Sequence, residues 1–117
     1  MLSKQNRVNK HLFSDVIKKG VSYYTQNISL KITNTTNTKP KFAVSVPKKE
    51  VKTAVKRNLL KRRIFSILEK TAMKTKLGFA SVFFLKKGAV GLPYSKLYDE
   101  VVYLLKKAKI IWLVENF

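Results

Sequence analysis

The spacing of apolar side chains changes several times along the chain, and its first pattern predicts a short helix. Residues 9–20, NKHLFSDVIKKG, carry an apolar stripe at helical spacing, and Asn9 and Gly20 are residue types that cap and end helices. The stripe consists of Leu12, Phe13, Val16 and Ile17. A helix over these residues buries one face and leaves its lysines in water.

Two later stretches alternate apolar and polar residues with the period of two that is typical of a half-buried strand. They are VSYYTQNISLKIT at 21–33 and KFAVSV at 41–46. Their apolar positions are Ile28, Leu30 and Ile32 in the first and Phe42, Val44 and Val46 in the second. Residues 34–40 between them, NTTNTKP, are typical of a turn. We therefore predict that the two strands pair as a hairpin.

The second half of the chain predicts a helix, a buried strand and a final helix. One helical stripe follows Ala54, and 79–85, FASVFFL, is a continuous apolar run that suits a strand covered on both faces. A loop at 86–93 separates this run from an amphipathic helix. The two stripes are Leu60, Ile64, Ile67 and Leu68, then Leu97, Val101, Leu104, Leu105 and Ala108. This order predicts one α+β domain over residues 1–117, with helices packed on a small sheet.

The two ends of the chain do not follow these patterns. Residues 1–8 are a basic arm without the apolar core of a secretory signal, and the tail 110–117, IIWLVENF, is apolar enough to pack on the core or to form a contact surface. The apolar runs are shorter than the about 20 residues that cross a bilayer. Cysteine is absent. These features predict a soluble, cytoplasmic protein.

The net charge of the chain indicates which class of partner it binds. The chain has 25 Lys and Arg against 6 Asp and Glu, a formal net charge of +19. A folded domain with this imbalance repels itself, and a large polyanion such as nucleic acid compensates it. An anionic membrane surface is the alternative, but a buried strand in a mixed fold argues against a basic amphipathic membrane binder.

The basic residues are densest at 54–63, AVKRNLLKRR, on the second predicted helix. At 100° per residue, its polar side chains divide into two flanks, with Arg57 and Lys61 bordering the apolar stripe. The Asn58 flank consists of Asn58, Arg62, Phe65 and Glu69, and the Arg63 flank consists of Lys56, Leu59 and Arg63. Glu50 is the only acid among residues 48–63, against eight cations, so this surface requires an external anion.

Protein-based nuclease chemistry is not predicted. A two-metal nuclease holds its ions with clustered carboxylates, whereas the acidic residues here are scattered and the adjacent Asp99 and Glu100 point to different sides of a helix. His11 is the only histidine, so the chain has no histidine pair for acid–base catalysis. We expect no catalytic residue in the protein.

A resemblance to the bacterial ribonuclease P protein family is carried by residues 41–68, KFAVSVPKKEVKTAVKRNLLKRRIFSIL. In that family a strand ending in V-S-x-K-K leads into A-V-x-R-N-R-x-K-R-x-x-R. The matching residues are Val44, Ser45, Lys48, Lys49, Ala54, Val55, Arg57, Asn58, Lys61 and Arg62. Leu59 and Phe65 stand where the family has arginine. RVNKHLFSDVIKKG resembles the family's first helix, and FASVFFLKKGAVGLPYSKLYDEVVYLL its late strand, basic turn and last helix.

The resemblance implies a small two-layer α/β sandwich like the second domain of ribosomal protein S5, with a left-handed β-α-β crossover. It implies a protein subunit that binds the catalytic RNA of ribonuclease P and the 5′ leader of precursor tRNA. The holoenzyme is an endonuclease that removes the leader during tRNA maturation. Its chemistry belongs to the RNA, which binds most of the Mg²⁺, so the isolated protein is not a nuclease and takes no small-molecule substrate.

Three groups of contact residues follow from the resemblance, residue by residue. The first binds the catalytic RNA: Lys48, Lys49, Lys56, Arg57, Asn58, Lys61, Arg62 and Arg63. Asn58 also suits a metal ion held through water. The second lines a leader-binding cleft between the sheet and the first helix: Phe13, Tyr23, Tyr24 and Lys31. The third is the basic turn of Lys86 and Lys87, which a solubilising loop also explains.

Two alternatives remain at this level. Phe13 lies on an apolar stripe and suits the core as well as the cleft. A structural RNA-binding protein, such as a ribosomal protein, shares the charge, the size and the sheet-plus-helix build. The spaced R-N-x-x-K-R run after V-S-x-K-K favours the ribonuclease P family.

Overall fold

The computed structural model describes residues 7–35, 41–72 and 78–108, which form a four-stranded sheet and three α-helices. The elements in chain order are α1 (Lys10–Lys19), β1 (Val21–Tyr24), β2 (Ile28–Asn34), β3 (Lys41–Ser45), α2 (Ala54–Ala72), β4 (Phe79–Leu85), a short 3₁₀ turn (Lys87–Ala89) and α3 (Tyr94–Lys107). The predicted α+β class is therefore confirmed. Residues 1–6 of the predicted arm 1–8, residues 36–40 of the predicted turn 34–40 and the whole tail 110–117 lie outside the described residues.

The strand order is β1-β2-β4-β3, so the predicted hairpin between the second and third strands is wrong. β4 lies between β2 and β3, antiparallel to β2 and parallel to β3. The reason is burial, because β4 is the strand that is apolar on both sides and a central position covers both of its faces. The stretch predicted as one strand at 21–33 is itself the hairpin of β1 and β2, which turns at Thr25–Asn27.

β3, α2 and β4 form the β-α-β unit that the resemblance implies. Phe42 pairs with Ser81 and Val44 with Phe83 in the parallel ladder. The left hand of this crossover stays a prediction. The outer edge of β3 is partly covered by the chain before α1, since the Val8 amide donates to the Phe42 carbonyl at 3.0 Å.

Helices α2 and α3 pack on one face of the sheet, here called the sealed face. Its buried side chains include Ile28, Leu30, Phe83 and Leu85 from the sheet, Leu60, Ile64, Ile67 and Leu68 from α2, and Leu97, Val101, Leu104 and Leu105 from α3. Both predicted helical stripes are thus confirmed, with Ala108 partly buried against the same core. This face with its two helices is the main layer pair of the sandwich.

The other face of the sheet, here called the open face, receives α1. Val16 is fully buried there with Ala80 and Val82, and Leu12 and Phe13 are partly buried against them. Ile17, predicted to belong to the buried stripe, is 38% exposed, because the ten-residue helix reaches the sheet with only part of that stripe.

Both predicted ends of α1 are confirmed. The Asn9 side chain accepts a hydrogen bond from the Leu12 amide at 2.8 Å, which satisfies a donor in the first turn. At the other end a Cβ atom on Gly20 would collide with the Val16 carbonyl oxygen. Glycine is therefore required where the chain leaves α1 for β1. Within the described ranges, no helix has the length and apolar character needed to cross a membrane.

Candidate nucleic-acid interface

The buried stripe of α2 fixes a basic segment whose polar side chains face outward. Leu60 and Ile64 are buried in the core, so the rotation of the helix is set by packing. Lys56, Asn58 and Arg62 are exposed. The Asn58 flank therefore presents its polar side chains to solvent along the outside of the helix.

Arg57 and Arg63 also support loops within the protein. One guanidinium nitrogen of Arg57, Nη1, donates to the carbonyl oxygens of Val51 and Lys52 at 2.9 and 2.8 Å. Nη1 of Arg63 donates to the carbonyl oxygen of Leu92 at 3.3 Å. Both side chains are half-buried, so each combines a structural contact with a positive charge at the surface.

The loop before α2 lies beside the basic turn. Lys48 and Lys49 are exposed on this loop, which is held by the buried side chain of Val51. A carboxylate oxygen of Glu50 accepts a hydrogen bond from the Lys87 amide at 3.3 Å. This contact brings the Lys48–Lys49 pair close to the turn after β4, so two of the predicted basic groups share one region.

The open face combines aromatic and cationic side chains. Tyr24 and Phe84 both pair with Ser29 across the ladder and so lie on the same side of the sheet. The ring centres of Phe13 and Phe84 are 6.3 Å apart in an edge-to-face arrangement, which makes Phe13 a partly buried wall of this face rather than a full core residue. Nζ of Lys86 lies 6.0 Å from the centre of the Tyr24 ring.

Lys31 extends the same face towards α1. Its ammonium nitrogen, Nζ, lies 3.4 Å from the carbonyl oxygen of Ile17, near the end of the helix. A cation at that position suits the negative end of the helix dipole. The structure therefore brings Phe13, Tyr24, Lys31 and Lys86 to one side of the sheet.

Tyr23, predicted for the cleft, lies on the other side. It pairs with Leu30 and packs against the core of the sealed face. Successive side chains of a strand point to opposite faces, so Tyr23 and Tyr24 cannot share a cleft. The assignment of Tyr23 to the open face is wrong, and Phe84 occupies the place in the aromatic surface that it was expected to fill.

A hydrogen-bonded clamp holds the β1–β2 turn against α3, and sequence reasoning missed it. Oε1 of Glu100 accepts from the Thr25 hydroxyl at 2.6 Å, and Oε2 accepts from the Asn27 side-chain amide at 2.9 Å. The Asn27 carbonyl in turn accepts from the Lys86 amide at 3.0 Å. The clamp therefore fixes the turn that directly follows Tyr24, and Lys86 is bonded to the same turn through its backbone amide. The sequence does contain a signal for this contact, because Glu100 is an acid directly beside Val101 of the apolar stripe of α3.

In residues 7–35, 41–72 and 78–108, no group of three or more His, Asp or Glu side chains could hold a metal ion. His11 is highly exposed, and its Nε2 lies 3.8 Å from a carboxylate oxygen of Asp15, one helical turn away. Asp99 is exposed, while Glu100 is committed to the clamp. The described surface offers cations and aromatic rings.

A strongly basic α+β domain with such a surface has the character of a nucleic-acid-binding protein. The family model for ribonuclease P matches residues 2–109. The ribonuclease P protein component of a Pseudanabaena species is 35% identical over 115 residues, which cover 95% of this chain and 97% of that protein. The chain belongs to the ribonuclease P protein family, the protein subunits of a ribonucleoprotein endoribonuclease.

Solved structures of two proteins agree on the fold. The RNase P protein of Staphylococcus aureus matches with a TM-score of 0.82 at 23% identity, covering 92% of this chain and 99% of that one. The RNase P protein of Thermotoga maritima matches with a TM-score of 0.77 at 20% identity, covering 86% and 96%. The predicted family is confirmed, and the alternative of a structural ribosomal protein is not favoured.

Proposed function

We propose that this chain binds the catalytic RNA of ribonuclease P along α2 and holds the 5′ leader of precursor tRNA on the open face. In this arrangement the RNA, with its bound Mg²⁺, cleaves the leader in the cytoplasm. The observation that carries the proposal is the division of the surface: a rigid basic helix on one side and an aromatic, cationic sheet face on the other, in a chain of this family.

The α2 surface suits an RNA backbone. Arg62 is exposed beside Asn58, and a guanidinium group binds phosphate through two parallel hydrogen bonds. Lys48 and Lys49 add charge from the neighbouring loop. Because Arg57 and Arg63 hold loops through one nitrogen each, they support this surface and contribute charge to it. A helix fixed by a buried stripe loses little further freedom when RNA binds.

The open face suits a single strand of variable sequence. Base stacking on an aromatic ring is independent of base identity, and the exposed ring of Tyr24 provides it. Lys86 beside that ring and Lys31 near α1 supply charge for the phosphates on either side. A leader differs from one precursor tRNA to another, so recognition by stacking and charge fits it better than base-edge contacts.

In the proposed complex the RNA, and not the protein, binds the metal ions that take part in cleavage. Mg²⁺ ions bound by the RNA would supply an activated water and stabilise the leaving oxygen. Asn58 is exposed at the centre of the basic segment and suits a hydrogen bond to metal-bound water. The protein's residues bind and orient the two RNA strands.

Reconstitution at low Mg²⁺ tests the proposal directly. The purified protein is mixed with the ribonuclease P RNA of the same organism and a precursor tRNA with a 5′ leader. We expect faster release of the leader than with RNA alone, and a smaller gain for a precursor with a leader of one nucleotide. Equal rates with and without protein would contradict the proposal.

The first prediction concerns the salt dependence of RNA binding. Arg62→Ala and Lys61→Ala should each weaken binding and reduce the slope of log K against log salt concentration by roughly 0.7–0.9, the contribution of one phosphate contact. The measurement is a filter-binding titration at four salt concentrations. Lys107→Ala, at the exposed end of α3, serves as the control and should leave the slope unchanged. An unchanged slope in both α2 variants removes these residues from the phosphate contacts.

A further inference from the structure

A shallow pocket lies on the Asn58 flank of α2, where this chain departs from its family. Its volume is about 270 Å³, and it is lined by Arg62, Phe65, Ser66 and Glu69. Phe65, which stands at a position where the resemblance expects arginine, is half-buried and packs partly against the core. The ring therefore has a fixed side, held by the protein, and a side that faces the pocket.

The first residue of α3 supports one wall of this pocket. The hydroxyl oxygen of Ser66 lies 3.2 Å from the phenol oxygen of Tyr94, and Nζ of Lys70 lies 4.9 Å from the centre of the Tyr94 ring. The hydrogen bond with Ser66 lowers the pKa of Tyr94 and Lys70 lowers it further, against the opposing effect of burial. The pocket thus has a packed wall, with Arg62 towards one end of the helix and Lys70 towards the other.

The side chains that line the pocket favour a nucleic-acid base over a phosphate group. Glu69 is the only acid on α2, and its carboxylate repels a phosphate placed in the pocket. A carboxylate accepts hydrogen bonds from the N–H groups of a base edge, while an aromatic ring stacks on the base itself. Arg62, which lines the pocket, matches a phosphate beside that base.

We propose that this pocket receives an unpaired base of the ribonuclease P RNA, and that guanine is the preferred base. Guanine presents N1–H and an exocyclic amino group side by side, which pair with the two oxygens of one carboxylate. Phe65 stacks on the ring of the base, so a salt-dependent phosphate contact is replaced here by a contact with little dependence on salt. The inference rests on the proposed binding of RNA along α2.

The test compares binding of the ribonuclease P RNA by the wild-type protein and two variants over a range of salt concentrations. Phe65→Leu keeps an apolar side chain but loses the stacking ring, and we expect a roughly 5- to 150-fold weaker complex with an unchanged salt slope. Phe65→Tyr keeps the ring and should bind like the wild type. Tyr103→Leu, which removes a 51% exposed aromatic ring from α3, is the matched control and should bind like the wild type.

Chemical modification of unpaired guanines in the same RNA identifies the base. The wild-type protein should protect a guanine at N1 and N2, and Glu69→Gln and Phe65→Leu should each expose that guanine again. Glu69 is exposed, so Glu69→Gln tests the pocket even if Phe65→Leu unfolds, which thermal unfolding will show. The inference is overturned if Phe65→Leu and Glu69→Gln both bind like the wild type, or if they expose no guanine.

The two proposals fail in different ways. A wild-type protein that neither binds the RNA nor accelerates leader removal contradicts the proposed function. A wild-type protein that does both, with an affinity and a guanine protection unchanged in both variants, contradicts only the base-binding pocket.

Discussion

The two faces of the sheet use neighbouring residues of the same strands for different purposes. On the sealed face Phe83 is fully buried beneath α2 and α3, whereas the next residue, Phe84, is only partly buried on the open face. Tyr23 packs against the sealed core, and Tyr24 is 64% exposed. Stability is concentrated on one side of a single sheet, and the other side keeps aromatic rings available for a partner.

The difference follows from how much helix covers each face. Among the described residues, the sealed face is covered by helices of 19 and 14 residues, and the open face by the 10 residues of α1. Helix α1 contacts β2 and β4 and is buried there at Val16, whereas Tyr24 at the end of β1 is 64% exposed. Within the described part of the chain, the aromatic surface is the part of the open face that α1 leaves uncovered.

The largest effect is expected from a pair of adjacent phenylalanines. Phe83→Ala should lower the free energy of unfolding by about 3–5 kcal/mol, because it opens a cavity in a fully buried core. Phe84→Ala should cost clearly less stability but weaken binding of the leader. Urea unfolding and leader binding measured on both variants check this contrast. Equal losses of stability would mean that the two faces are packed alike.

The clamp at Glu100 connects the two faces. Glu100→Ala leaves the Thr25 hydroxyl and the Asn27 amide without their carboxylate acceptor and should cost about 1.5–3 kcal/mol of unfolding free energy. Leader binding should weaken as well, since the turn carries Tyr24. Asp99→Ala, its exposed neighbour, is the control. If Glu100→Ala loses stability while its leader affinity stays unchanged, the clamp does not position the open face.

The two tyrosines of β1 test whether the leader binds to the open face and not to the sealed face. Tyr24→Ala should weaken binding of a leader by about 1–3 kcal/mol, the value of one stacked base, with little change in stability. Tyr23→Ala should do the reverse, because its side chain packs on the sealed core. The measurement is the affinity of the holoenzyme for precursor tRNA with and without its leader. A loss of leader affinity in Tyr23→Ala alone would reverse the assignment of the faces.

The smallest effect concerns the single helix on the open face. Asn9→Ala removes the N-terminal cap of α1 and should lower the free energy of unfolding by about 1 kcal/mol. Thermal unfolding measures this loss. Ser14→Ala, an exposed position within the same helix, should be nearly neutral, and a similar loss in both variants would argue against a specific role of the cap.

Local patterns in the sequence were sufficient to predict most elements. The cap at Asn9, the helix starting at Ala54 and the doubly buried strand FASVFFL all follow from short-range rules. The two flanks of α2 follow from its period alone, whereas the contact of Arg63 with the loop before α3 is seen only in the structure. The order of the strands did not follow, because strands that are neighbours in sequence need not pair in space.

The candidate site was less predictable, for reasons visible at single residues. Tyr23 and Tyr24 carry the same chemistry, and only the register of β1 against β2 decides which one faces the open side. Arg57 and Arg63 donate hydrogen bonds to backbone carbonyl groups. Because every residue has a backbone carbonyl, the sequence does not indicate which one an arginine will contact. The clamp joins Thr25 and Glu100 across 75 positions of the chain, beyond the reach of a local pattern.

The position of β4 has a consequence for the order of events during synthesis. β4 lies between β2 and β3 but is the last of the four described strands to leave the ribosome, after both neighbours and the whole of α2. Until it emerges, β3 lacks the strand with which it pairs in the described sheet, and the basic helix lacks the central strand of the sheet on which it packs. Non-local pairing of this kind slows folding. The nascent chain therefore displays its cationic segment in an unfinished domain, and the sheet closes only when residues 79–85 arrive.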